Sequence, residues 1–180
     1  MAKESEFVET AQGIARRALT GRLEIERGAA LLYEITVDNT LSVTVDPKKP
    51  SRGSSAFQTD LCIFERRGDV RLPRVVMEFK ARVTTHDVLT YSAKARTHKQ
   101  VYPYLRYGLV ASEETTVPGR VFTHNESLDF CMSLGAVPRT QLGAVIGALI
   151  KAEVGASRKL EKIIFGKERV WLFRREVLKR

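Results

Sequence analysis

The run Arg74-Val75-Val76-Met77-Glu78-Phe79-Lys80 is the most strand-like segment of the chain, and the rest of the fold is read outward from it. Apolar and β-branched side chains dominate it, as a pleated, buried strand requires. Side chains two apart on a strand share a face, roughly 7 Å from one another. Glu78 and Lys80 therefore project together, while Val75, Met77 and Phe79 take the opposite face. A carboxylate and an ammonium in so apolar a setting need a partner or a task.

Upstream, Ala56 to Glu65 reads as a second strand, and Asp60 lies inside it, between Phe57 and Leu61-Cys62-Ile63. The intervening Arg66 to Pro73, with Gly68-Asp69, reads as a hairpin turn. If the two strands pair, Asp60 meets Glu78 across the ladder. Two carboxylates so close repel one another and invite a hard divalent cation such as Mg²⁺. Such an ion can lower the pKa of a water and stabilise charge on a phosphoryl oxygen. Lys80 beside it can orient the water and neutralise charge in the transition state. The expected chemistry is phosphodiester hydrolysis. The competing reading is a Glu78–Lys80 salt bridge with Asp60 bonded locally.

Further out, Leu41, Val43 and Val45 alternate with polar residues and predict a half-buried strand over Thr40 to Asp46. Phe7, Val8, Ala11, Ile14, Ala15 and Ala18 recur at helical spacing, with Ser5 as cap, and a second helix is expected from about Leu23 to Ile35. After the central strand, Thr84-x-x-Asp87 forms a capping-box pattern for a helix to about Gln100, where Pro103 marks its end. Leu105 to Ala111 reads as a strand, and Val121 to Thr123 and Leu128 to Met132 as shorter ones. Leu142, Val145, Ile146, Leu149 and Ile150 form an amphipathic helical stripe, and Ser157 to Phe165 suggests another helix, ended by Gly166. The segment Lys167 to Arg180 reads as a last strand or a docked tail. This order implies an α/β fold, one domain over residues 1–180, with a mixed central β-sheet flanked by helices.

The bulk properties agree with a polyanionic partner. The 180 residues carry a net charge of +9, which favours DNA, RNA or an anionic membrane surface. Cys62 and Cys131 sit in apolar runs and read as buried thiols; neither has a second Cys at metal-ligand spacing, which argues against structural zinc. Met1 to Glu6 shows no apolar leader and no apolar run is long enough to span a bilayer, so a cytoplasmic protein with no membrane partner is expected.

Asp60, followed by Glu78-Phe79-Lys80 on the next strand, resembles the signature of the PD-(D/E)xK nuclease superfamily over roughly Leu23 to Val110. Thr59 stands where a Pro often precedes the Asp. The resemblance implies a restriction-endonuclease-like core, Mg²⁺ dependence (with Mn²⁺ as substitute) and a DNA substrate. It implies Asp60 and Glu78 as metal ligands and Lys80 as the residue that assists the water. Members often carry a further Glu in the first helical region; Glu24, Glu26 and Glu34 are the candidates here, with Glu26, on the expected second helix, first and Glu34 behind it. A solvated helix-face Glu is the alternative. Gln100-Val101-Tyr102-Pro103-Tyr104 looks like the Q-x-x-x-Y motif of the RecB-like branch, with a plain packing Tyr as alternative.

Positive charge surrounds these residues. Arg82, Lys94, Arg96, His98 and Lys99 follow the central strand, and Lys48, Lys49 and Arg52 lie in a breaker-rich loop before Asp60. Together with Gln100 and Tyr104 they are the expected DNA contacts, against the alternative of a solvated basic face. His86 also falls near the site in sequence. The expected function is a Mg²⁺-dependent DNA endonuclease, of restriction or repair and junction type, acting on duplex or branched DNA. A two-strand cut needs two active sites, which leaves room for a homodimer. The alternatives are a catalytically silent nucleic-acid-binding module of the same fold and a basic interaction protein.

Overall fold

The computed structural model describes residues 2–19, 21–51, 53 and 55–172. It is an α/β protein built on a five-stranded mixed sheet. In chain order the elements are α1 (Ala2–Ala18), β1 (Leu23–Arg27), β2 (Ala30–Leu32), β3 (Ala56–Gln58), β4 (Leu61–Arg67) and β5 (Val70–Lys80). There follow α2 (Thr85–Val101), β6 (Arg106–Ala111), α3 (Gly119–His124), β7 (Phe130–Ser133) and α4 (Leu142–Phe165). The sheet order is β1-β4-β5-β6-β7, with β2 and β3 forming a small separate ribbon. β1, β4 and β5 are antiparallel neighbours; β5, β6 and β7 run parallel.

The central strand alternates as its sequence requires. Val75, Met77 and Phe79 enter a core with Ile63, Val110 and residues of α1 and α4. Cys62, Val76, Tyr107 and Leu109 enter a second core with Val88 and Ala95 of α2 and Val121 of α3. Each sheet face is thus covered by helices, and Glu78 and Lys80 belong by parity to the α2 face.

The α2 cap forms as its pattern predicts: Thr84 Oγ1 accepts from the Asp87 amide at 3.1 Å, and the Thr84 amide donates to Asp87 Oδ2 at 2.8 Å. Arg74 is the extra residue of a bulge where Ile63 pairs with Val75 and Phe64 with Pro73. Its side chain is fully buried and pairs with Glu65 and Glu161, each at 2.6 Å, tying the sheet to α4.

Several expected elements differ. The segment expected as a helix over Leu23 to Ile35 is β1, a turn and β2. Gly28, at φ +69°, reverses the chain there, and a Cβ on it would lie 2.8 Å from Gln58 Nε2. Ile25 is paired with Ile63, so sheet pairing overrides the local apolar spacing. Thr40 to Asp46 is not a named strand. It is one side of an exposed arm joined by the isolated Val37–Val43 bridge, with Leu41 and Val43 left largely exposed rather than packed into a core. Ser5 lies inside α1 rather than at its cap. Val121 to Thr123 belongs to the short helix α3, not to a strand. The two helices expected after Leu142 are one, because Ile146, Ile150, Val154 and Ser157 continue a single buried stripe across Gly155. Residues 167–172 form no strand, and 173–180 lie outside the described residues. Among the described residues, no helix is long and apolar enough to cross a membrane.

Candidate active site

Asp60 occupies the break between β3 and β4, not the interior of one strand. Two neighbours make that break. The Thr59 amide and hydroxyl both donate to the Ala29 carbonyl, at 2.9 and 3.0 Å, and the Gly28 amide donates to the Asp60 carbonyl at 3.2 Å. Thr59 is buried, so its hydroxyl anchors the kink from inside. The β4–β5 ladder ends at Leu61–Met77, and one position further the Asp60 carboxylate takes over from the backbone. Its Oδ2 accepts from the Phe79 amide at 2.8 Å. The Asp60 amide in turn donates to Glu78 Oε2, a long contact at 3.4 Å.

Glu78 is only 2% exposed, and the Tyr107 hydroxyl donates to its Oε1 at 2.6 Å. Burial, with the Asp60 charge next in weight, pushes the Glu78 carboxyl up from its ordinary value to about 7. Tyr107 is itself held: its ring stacks on His98 at 5.7 Å between centroids, and the His98 Nδ1–H donates to the Leu32 carbonyl at 2.9 Å. Burial holds His98 below the usual imidazole range, so it is a neutral packing residue rather than a cation for phosphate.

Lys80 leaves the core at the end of β5, with its ammonium 5.6 Å from the Tyr91 ring centroid. Lys94 joins it, 5.1 Å from the same ring and 5.6 Å from that of Phe57, and its charge acts on Glu78. The fold therefore brings together Asp60, Glu78, Lys80 and Lys94. Tyr107, Tyr91 and Phe57 were not singled out from sequence. Tyr91, Lys94 and His98 follow a 3–4 spacing along α2, and Tyr107 shares the β6 face of Leu109, so their parity was readable once the site's face was known.

The other sequence candidates lie elsewhere. Glu26 is on β1, not on a helix; it pairs in register with Cys62 and binds Arg71 at 2.6 Å, two strands from Glu78. Glu34 is exposed and accepts from Ser55 Oγ at 2.9 Å. Lys48 and Lys49 border a cavity of about 270 Å³ that Glu26, Phe64 and Arg71 also line, and Lys48 pairs loosely with Asp69 at 3.5 Å. Arg52 lies outside the described residues. Arg82 is largely exposed and lies 3.5 Å from Glu113. Lys99 is committed to Asp129 and the Ser127 carbonyl, both at 2.6 Å. Gln100 and Tyr104 do not share a helix face: α2 stops at Val101, before Pro103. Gln100 is exposed, while Tyr104 is buried against Phe165 and Arg74. His86 is exposed at the start of α2.

Neither the protein-family models nor the curated proteins compared with the chain gave a match.

The donor set bears on a metal directly. Among the described residues, no group of three His, Cys, Asp or Glu side chains converges anywhere. Two carboxylates do converge, at Asp60 and Glu78, and they are hard oxygen donors in mutual repulsion. Mg²⁺ is usually held by one or two carboxylates and keeps several waters, so this pair fits that ion better than Zn²⁺ or a caged Ca²⁺.

Proposed function

We propose that this chain is a Mg²⁺-dependent deoxyribonuclease with a restriction-endonuclease-like core, hydrolysing phosphodiester bonds in DNA. The observation that carries the reading is the junction of Asp60 and Glu78 across the β4–β5 edge, with Lys80 on the same sheet face two residues on. Asp60 and Glu78 are the residues that would hold the ion; bound there, Mg²⁺ supplies Lewis acidity toward a phosphoryl oxygen and an acidified water.

The chain's own groups do the rest. Tyr107 fixes the Glu78 carboxylate through Oε1, and the Phe79 amide fixes Asp60, so both acids are oriented before substrate arrives. Lys80 and Lys94 place two compact positive charges beside them, where a phosphate is drawn in and charge develops as the P–O bond breaks. The net charge of +9 supplies long-range attraction for DNA. A cut through both strands then needs two such sites, which a homodimer would provide.

The test is cleavage of duplex, branched and single-stranded DNA in Mg²⁺, in Mn²⁺, in Ca²⁺ and in EDTA. Cleavage in the first two and none in EDTA is expected. Absence of cleavage on every substrate in Mg²⁺ and Mn²⁺, with DNA still bound, would leave the silent binding module as the better reading.

A further inference from the structure

Beside the carboxylates lies an aromatic ledge that the hydrolytic reading does not use. Phe57, on β3 and three residues before Asp60, is 37% exposed. Its ring stacks on Tyr33 with centroids 4.2 Å apart and planes within 24°. The buried His98 ring backs it edge-on at 5.9 Å. The Tyr33 amide donates to the Ser55 carbonyl at 2.9 Å, extending the β2–β3 ribbon by one rung and holding the two rings in register. Lys94 sits above the Phe57 ring and above Tyr91, and Tyr91 also faces Lys80. Three residues of extended chain span no more than ~10 Å, so the ledge and Asp60 are within a nucleotide or two of each other.

Partly exposed aromatic rings that are already stacked and backed lose little freedom on binding, and the ring surface they leave open is available to any base. Cations interleaved with such rings are what a strand of alternating phosphates and bases requires. Inside a duplex the base faces are covered by their neighbours, and away from the ends only an unpaired base can use such a ledge. We propose that the Tyr33–Phe57 stack receives an unpaired nucleobase next to the scissile phosphate, so that single-stranded or branched DNA is preferred over blunt duplex. This rests on the nuclease reading of the adjoining carboxylates and names the substrate class for that same site.

The test is binding in Ca²⁺ without Mg²⁺, using a single-stranded oligonucleotide and a forked duplex, each with one unpaired 2-aminopurine, and a blunt duplex of the same sequence. The wild-type chain quenches the unpaired 2-aminopurine and binds both probes more tightly than blunt duplex. One lost base–aromatic stack weakens binding about 5- to 150-fold, so Phe57→Leu moves the ratio of unpaired to blunt affinity toward one. Tyr33→Leu acts in the same direction and covers the case in which the Phe57 variant fails to fold. Absence of quenching, or a folded Phe57→Leu or Tyr33→Leu chain that keeps the wild-type ratio, overturns the platform. Cleavage in Mg²⁺ is read separately: cutting without quenching sinks the platform alone, and quenching without cutting sinks the nuclease reading alone.

Discussion

The Phe79 amide donates to Asp60 Oδ2 at 2.8 Å, so the upstream acid is fastened to the backbone of the strand that carries Glu78. Asp60 therefore has a structural bond besides the chemical task proposed for it, and the two can be separated. In Asp60→Asn the side-chain oxygen still accepts from Phe79, but the charge is gone. Cleavage should fall about a thousandfold or more, the scale expected when a metal-holding or charge-stabilising group is lost, while the thermal midpoint holds or rises. Asp60→Ala leaves the amide unpartnered and should cost about 1–3 kcal/mol of stability besides. Single-turnover cleavage and calorimetry on both variants check this. An Asn variant that cuts at the wild-type rate removes Asp60 from the metal site.

Glu78 links stability to pH. Its carboxyl titrates at about 7 in the fold, against an ordinary value of 4.5, chiefly because it is buried. Between those values the folded chain holds more protons than the unfolded chain, so stability falls as pH rises through that window. Glu78→Gln should flatten the fall and raise the midpoint at pH 8 relative to wild type. Mg²⁺ should stabilise wild type more at pH 8 than at pH 5, since metal and proton compete for the same oxygens. Denaturant titrations at the two pH values, with and without Mg²⁺, decide it. An unchanged slope in the Gln variant would assign the linkage to another group.

Lys80 should matter to rate more than to affinity. As one phosphate contact among many it would contribute about 1 kcal/mol to binding, whereas a preorganised donor to developing charge is worth roughly 3 kcal/mol or more. Lys80→Ala should therefore cut the single-turnover rate by about a hundredfold and the affinity by far less. Lys80→Arg should rescue only in part, because a planar guanidinium cannot place a compact charge at the same point. If rate per folded molecule is unchanged in the Ala variant, Lys80 serves the fold alone.

Arg74 tests the far end of the sheet. Its buried guanidinium joins Glu65 and Glu161, and its ζ-carbon lies 5.2 Å from the Tyr104 ring centroid. Arg74→Ala should cost about 3–5 kcal/mol, because both acids lose a buried partner. Pairing it with Glu161→Gln should return part of that loss. Equilibrium unfolding of the single and double variants measures the coupling, and strict additivity would show the cluster to be screened by solvent.

That Glu78 and Lys80 lie on one face of a buried strand was legible in the sequence because a strand's period is two. Glu78 and Lys80 must share a face, and neighbours as apolar as Val75, Val76, Met77 and Phe79 set that strand in the core whatever lies around it. The α2 cap was legible for a similar local reason: Thr84 and Asp87 satisfy one another within a single turn. What the tertiary structure decided is everything that depends on distant partners. Leu23 to Arg27 suits a helix as well as a strand by apolar spacing, and pairing with β4 selects the strand. That choice carries Glu26 to Arg71 and away from the carboxylate pair. Tyr107 and Phe57 reach the site from strands that give no sign of it in their own sequence. Lys99, for all its place in a basic run, is spent on Asp129. Local patterns fix which face a side chain takes; which faces meet is set by pairing and burial across the whole chain, and no short stretch contains that information.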